Sequence, residues 1–336
     1  MRGLAAEYMK ILIKRQLPAA FLISSVLLFT PGCSAPGQAK TIRFAYIAAD
    51  QLHSPAVMVM KEKKYLEKAG YKVEWSEYLA GSHIMQDMAN GAVDFACCGA
   101  APVIVSESQG NGCSIIAGSN QEGSSLVVGG SVQTVKDLDG KKIATPGHGS
   151  IQEMMLAKTA KEAGVEITYA AMEVSNMPLF LQKGEIDGFI AWAPYPAKAV
   201  SQGIGRELLS SHSMMSGHQC CVLVVKDSVL DGDPQAAEDV LKAYLKAYEW
   251  FMDHRKDSIK LIAKATGTDE KTIGLAIETV TYAYPPYFDG ESIRAMAEGL
   301  AEAGRINVKP GEMDSFVESL CCCELLESAA GAKRKG

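Results

Sequence analysis

From residue 41 onward the chain moves between two hydrophobic rhythms. Residues 41–49 (TIRFAYIAA) and 72–78 (KVEWSEY) have the short β-branched and aromatic pattern of strands, whereas 56–69 repeats its apolar positions at helical spacing and stops at Gly70. A turn at Gly81 and Ser82 opens a short helix over 83–90, and VDFACCG from Val93 reads as a buried strand. Strand, helix, strand, helix, strand is the order of a parallel sheet with helices on its faces.

The same order then returns. KKIATP (141–146) predicts a strand, 150–163 a helix ending at Gly164, VEITYAAM (165–172) a strand and 177–182 a short helix. NGAVDFA from Asn90 matches KGEIDGFIA from Lys183, which places Asp94 and Asp187, 93 residues apart, at one position of a repeat. Two βαβαβ units of equal size predict an α/β protein with two similar lobes. SLVVGG (125–130) and CCVLVVK (220–226) are short buried-type strands, and as crossings between the lobes they would form a hinge over a cleft. Beyond Pro234 the pattern is helical, with Tyr244, Tyr248 and Phe251 at core spacing, and this end is expected to pack back on the first lobe. The partition that follows is lobe I over 41–126 and 227–336, with lobe II over 127–226.

The first 32 residues change the picture of where the protein works. Arg2, Lys10, Lys14 and Arg15 precede the fourteen-residue stretch LPAAFLISSVLLFT, which is short of the roughly 20 residues a bilayer-spanning helix needs. This is the pattern of a cleaved signal peptide over 1–32. Cys33 follows Gly32, and the small and polar run after it reads as a tether over 33–40, so Cys33 is expected to carry a lipid that anchors the exported protein to the membrane. Without residues 1–32 the chain has 29 Lys and Arg against 38 Asp and Glu, a net charge of −9 that argues against nucleic acid as a partner. The other eight cysteines fall as Cys97 and Cys98, Cys113, Cys220 and Cys221, and Cys321 to Cys323. None has the spacing of a zinc knuckle, and neighbouring cysteines on a strand project in different directions, so neither a metal nor a cofactor is expected. A metal-relay or redox role for these clusters is the competing reading.

Enzyme motifs are few: the chain has no HExxH, no GxSxG and no GxxxxGK followed by Ser or Thr. The glycine turns are more informative. PGHGSIQ (146–152) leads into a helix whose N-cap is Ser150, and Gly81 with Ser82 opens the equivalent helix of the first unit. A helix N-terminus offers unpaired N–H groups and the positive end of the helix dipole to an anion. Both turns, and a third at Gly99, follow the carboxyl ends of strands, where open α/β sheets bind ligands. Asp50 and His53 follow the first strand, His148 and Gly149 lie in the second-unit turn, and Trp192 ends the strand FIAW as a rigid wall for a ligand.

The segments NGAVDFACCGAAP, VKDLDGKKIATPGHGS and KGEIDGFIAWAPYP resemble the nitrate, sulfonate and taurine class of solute-binding proteins of ABC transporters, with the thiamine-pyrimidine-like members of that superfamily, and the resemblance spans nearly all of 41–320. It implies a periplasmic-binding-protein fold, no catalysis, and a monomer that delivers a small solute to a membrane permease served by a separate ATPase. It also implies ligand contacts at Asp50 to His53, Gly81, Ser82, Cys98, Gly99, Asn120, Gly149, Ser150 and Trp192. Ala193 departs from the pattern, since many members carry glutamate there. Sulfonate, nitrate or a related anion is the implied solute, with a thiamine precursor as the alternative. A pyrimidine synthase of the same superfamily is the enzymatic alternative, to which Cys321 to Cys323 invite comparison.

Overall fold

The computed structural model describes residues 39–331. The expected signal peptide, Cys33 and the tether up to residue 38 lie outside the described residues. Among the described residues there are eleven strands: β1 (Thr41–Ile47), β2 (Lys72–Tyr78), β3 (Phe95–Gly99), β4 (Cys113–Glu122), β5 (Ser124–Val128), β6 (Lys142–Thr145), β7 (Thr168–Ala171), β8 (Gly188–Trp192), β9 (Arg206–Ser210), β10 (Gln219–Lys226) and β11 (Val280–Thr281). They form two sheets, in the orders β11-β4-β10-β3-β1-β2 and β7-β6-β8-β5-β9. Among the described residues no helix is long and apolar enough to cross a membrane.

The internal repeat has a physical basis. In each sheet three parallel strands run β2-β1-β3 and β7-β6-β8, with an antiparallel strand beside the third. Asp94 and Asp187 do the same work in both: Asp94 Oδ2 accepts from the Arg43 backbone N–H at 2.9 Å, and Asp187 Oδ2 from that of Lys142 at 2.9 Å. Each aspartate thereby caps the start of the neighbouring parallel strand. Asp94 also forms an ion pair with the Arg43 guanidinium, with Nε 3.0 Å from Oδ2.

The lobe boundaries require a correction. β10 does not belong with 127–226 in lobe II; it lies between β3 and β4 in the first sheet, while Ser124 to Leu126 begin β5 of the second. Each lobe thus takes the antiparallel strand beside its third parallel strand from across the hinge. The chain crosses outward at Gly123, between β4 and β5, and returns through 211–218, between β9 and β10. Glu122 ties the two crossings together: its Oε1 accepts from the Gly217 N–H at 2.6 Å and stands 2.7 Å from His212 Nδ1. Burial pushes the Glu122 carboxyl up, but the Gly217 N–H and His212 outweigh it and leave it below its ordinary range.

Side-chain alternation along β1 divides the core of the first lobe. Ile42, Phe44 and Tyr46 pack beneath the helices Pro55–Glu62 and Pro234–Asp253, while Ala45 and Ile47 face the helices Gly81–Ala89 and Ala100–Ser108. As expected, Tyr244, Tyr248 and Phe251 are buried against this lobe, and the two tyrosines donate to Gly118 O at 3.0 Å and Ser119 O at 2.7 Å. The helix Gly290–Glu302 instead contacts both Ala100–Ser108 of the first lobe and Ile151–Ala163 of the second. The C-terminal segment therefore bridges the lobes as well as covering one of them.

Candidate functional site

The carboxyl ends of β1, β2, β3, β6 and β8 meet around one cavity of about 40 Å³, against the roughly 10–15 Å³ that a single water requires. The first lobe contributes Asp50 and His53 after β1, Gly81 and Ser82 after β2, Gly99 at the end of β3 and Pro102 after it, and Cys220 and Cys221 from β10. The second contributes Pro146 to Gln152 after β6 and Trp192 from β8. An outer depression of about 390 Å³ shares Ser82, Pro102, His148 and Gly149 with it and opens to solvent.

The structure thus gathers Asp50, His53, Gly81, Ser82, Gly99, His148, Gly149, Ser150 and Trp192 at one place. It does not bring Cys98 or Asn120 to the wall. Cys98 is 1% exposed and packs behind the Gly81 turn, and Asn120 braces the cavity floor from behind, its Oδ1 accepting from the Cys221 N–H at 3.2 Å. Cys220 and Cys221 line the cavity unforeseen. Strand alternation gave no reason to bring both forward.

The two helix ends differ in what they leave available. Ser150 is fully used: its hydroxyl donates to Gly147 O at 2.8 Å and accepts from the Glu153 N–H at 3.2 Å, as an N-cap does. Glu153 folds back to accept from the Gly149 N–H at 2.8 Å, which places a carboxylate under that helix end. The helix Gly81–Ala89 has no side-chain cap, so its first N–H groups keep their capacity for a ligand. Trp192 closes the cavity from the second lobe, its indole N–H donating to Ala49 O of the first at 3.0 Å. A second tie crosses at the rim, where Glu153 Oε1 lies 3.0 Å from Arg305 Nη2 and 2.7 Å from His148 Nδ1.

Among the described residues no lysine or arginine lines the cavity. Its charge sits in a buried cluster: His53 Nδ1 is 3.4 Å from Asp50 Oδ1 and 3.3 Å from Cys220 Sγ, and the Cys221 thiol donates to Asp50 Oδ2 at 3.5 Å. Burial pushes the Asp50 carboxyl up to about 7, against the pull of His53. Burial would lower His53, but Asp50 and Cys220 outweigh it and raise the imidazolium to about 9. Cys220 falls below the ordinary thiol range through the Cys221 S–H and, against burial, through His53, while Cys221 is pushed up by that neighbour and by burial. Cys220 Sγ and His53 Nδ1 thus face each other at the floor, each shifted by the other towards its charged form. The Cys321 to Cys323 triplet is elsewhere: it follows the helix Met313–Leu320, bridges to Ile115 of β4 and does not line the cavity.

Comparison with known proteins places this architecture. The taurine-binding periplasmic protein of Escherichia coli (strain K12) is 23% identical over 304 residues, covering 84% of this chain and 92% of that protein. The crystal structure of the periplasmic nitrate-binding protein NrtA from Synechocystis PCC 6803 superposes with a TM-score of 0.76 at 14% identity, over 89% of this chain and 90% of that one. The alkanesulfonate-binding protein SsuA from Xanthomonas axonopodis pv. citri, bound to MOPS, gives 0.69 at 17% identity, over 85% and 100%. Both solved structures have the periplasmic-binding-protein fold, and the chain shares it. The model of the NMT1-like family matches residues 35–267, well over half the sequence, and the chain belongs to that family.

Proposed function

We propose that the protein is the solute-binding component of an ABC importer and closes its lobes on a small solute in the cavity beneath Trp192. One observation carries this reading: equivalent strand ends of two repeated lobes converge on a single cavity, and a tryptophan of one lobe hydrogen-bonds the backbone of the other across it. The relatives named for taurine, alkanesulfonate and nitrate support a solute bearing an oxyanion. Its oxygens would accept from the uncapped N–H groups of Gly81 to His83, with no basic side chain required. Asp50, which lines the same cavity, suits an amino group, so an aminosulfonate of taurine type matches both features.

The same reading has the chain exported, tethered by a lipid on Cys33 and acting as a monomer that serves a permease and its ATPase, with no catalysis of its own. A thermal-shift series with taurine, short alkanesulfonates, nitrate and an aminopyrimidine tests it. A solute at a hundred times its dissociation constant adds about 2.7 kcal/mol, or about 5–10 °C for a domain of this size. Stabilisation by the aminopyrimidine alone would overturn the oxyanion assignment.

A further inference from the structure

Consecutive residues of a strand face opposite sides of the sheet. Val222 and Val224 obey this rule against Leu223 and Val225, but Cys220 and Cys221 both join the side of Val222. The cause is a slip in register between β10 and β4, at Gln219/Cys221 and again at Cys221/Val222. A bulge of this kind re-aims side chains. Here it leaves the two sulfurs 4.0 Å apart, facing the cavity.

His53 is oriented to meet them. Its Nε2 lies 3.2 Å from Gly123 O, and a carbonyl can only accept, so Nε2 carries a proton and Nδ1 faces Cys220 Sγ at 3.3 Å. An imidazole anchored through its far N–H on a backbone carbonyl is the arrangement metal-binding histidines adopt. The Nδ1 and both Sγ atoms lie within 4.8 Å of one another, and all three residues are buried. A second observation also points to a ligand: Asp50 Oδ1 is buried without a hydrogen-bond partner, 3.4 Å from His53 Nδ1. Around a tetrahedral Zn²⁺, with bonds of about 2.3 Å to sulfur and 2.0–2.1 Å to nitrogen, donor atoms stand about 3.8 Å (S to S) and 3.5 Å (S to N) apart. The corresponding distances here are 4.0 and 3.3 Å.

We propose that His53, Cys220 and Cys221 bind a thiophilic divalent cation of the Zn²⁺ class at the floor of the interlobe cleft. Two sulfur donors select against Mg²⁺ and Ca²⁺, which take oxygen ligands. The three protein donors tie the loop after β1 to β10 and leave a fourth position on the cavity side. The inference goes beyond the proposed transport function and does not depend on which solute the cleft holds.

The test uses the full chain, purified anaerobically, stripped with chelator and titrated with Co²⁺ and then Zn²⁺. The expected result is a thiolate-to-cobalt charge-transfer band that saturates at one equivalent per chain and is displaced by Zn²⁺. The double variant Cys220→Ser/Cys221→Ser loses the band, while the triple variant Cys321→Ser/Cys322→Ser/Cys323→Ser keeps it. His53→Gln, which retains both thiols, keeps a band but binds at least about tenfold more weakly. Circular dichroism establishes that each variant is folded, and should the double variant not fold, His53→Gln decides alone. Absence of the band in the parent protein, its survival in the double variant, its loss in the triple variant, or unchanged affinity in His53→Gln would each overturn the assignment.

Discussion

Gly123→Ala tests the crossing between the lobes. Gly123 has φ of +89°, a region that L side chains rarely occupy, and its carbonyl accepts from both His53 Nε2 and the Ala193 N–H. A Cβ built there would stand 2.5 Å from His53 Nε2 and 2.8 Å from Val280 Cγ2. The backbone strain costs about 1–3 kcal/mol, and forcing the two neighbours aside costs about 1–3 kcal/mol more. The variant should therefore lose about 2–6 kcal/mol, seen in differential scanning calorimetry as a fall in Tm of roughly 5–15 °C. Gly130→Ala is the control, because Gly130 has no positive φ and a Cβ there meets nothing within 4 Å. It should be neutral or stabilising by about 0.4–1 kcal/mol. Equal stability of Gly123→Ala and the parent, or equal losses in both variants, would refute the argument that the crossing demands glycine.

Four other substitutions probe the repeat, the hinge and the rim. Asp187→Ala should cost about 1 kcal/mol in urea denaturation for the lost bond to the Lys142 N–H, its 3.8 Å contact with Lys141 being long and partly exposed, and Asp94→Ala about 2–3 kcal/mol because its hydrogen-bonded ion pair with Arg43 goes as well; equal costs would contradict the stated roles. Glu122 is held below its ordinary value of 4.5, so its contribution is present above that pH and is lost as pH falls through the depressed value. Thermal melts should accordingly show the parent more stable than Glu122→Gln near neutrality, with the difference shrinking only below pH 4.5; a gap that is constant with pH would argue against a carboxylate clamp. Arg305→Ala removes one arm of the tie to Glu153 at the rim, and since a partly exposed ion pair contributes up to about 1 kcal/mol, solute affinity measured calorimetrically should fall by no more than about fivefold at low salt and recover towards the parent value as salt rises. A loss that persists in high salt would mean that Arg305 acts through packing.

The repeat was legible because it rests on residues with the same local task. Asp94 and Asp187 each cap a parallel strand, a role their sequence spacing preserves. The helix end at Ser150 was likewise local, and the hydroxyl caps it as predicted. What escaped depends on partners far along the chain. β10 reads as a crossing strand, but its place is decided by pairing with β3, more than a hundred residues earlier. β4 carries Ser114, Gly118, Ser119 and Asn120, which break its apolar run; Ser119 and Asn120 are nonetheless buried in the strand, Ser119 donating to His53 O at 2.6 Å and Asn120 accepting from the Cys221 N–H. Cys220 and Cys221 were assigned opposite directions by strand periodicity, and only the slip against β4 turns them to one side. Nine of the expected contacts share one cavity because most of them follow strand ends, a rule that names positions; it could not separate Cys98, one residue back inside the strand, from Gly99 at its exit.

Capture of the solute between the lobes can be read from a single fluorophore. Of the three tryptophans, Trp192 lies on the cavity while Trp75 and Trp250 do not. In a Trp75→Phe/Trp250→Phe protein, titration with taurine, an alkanesulfonate or nitrate should change Trp192 emission saturably, with a midpoint matching the dissociation constant obtained by calorimetry. Calorimetric binding of a solute with no change in that emission would place the solute elsewhere and contradict the account.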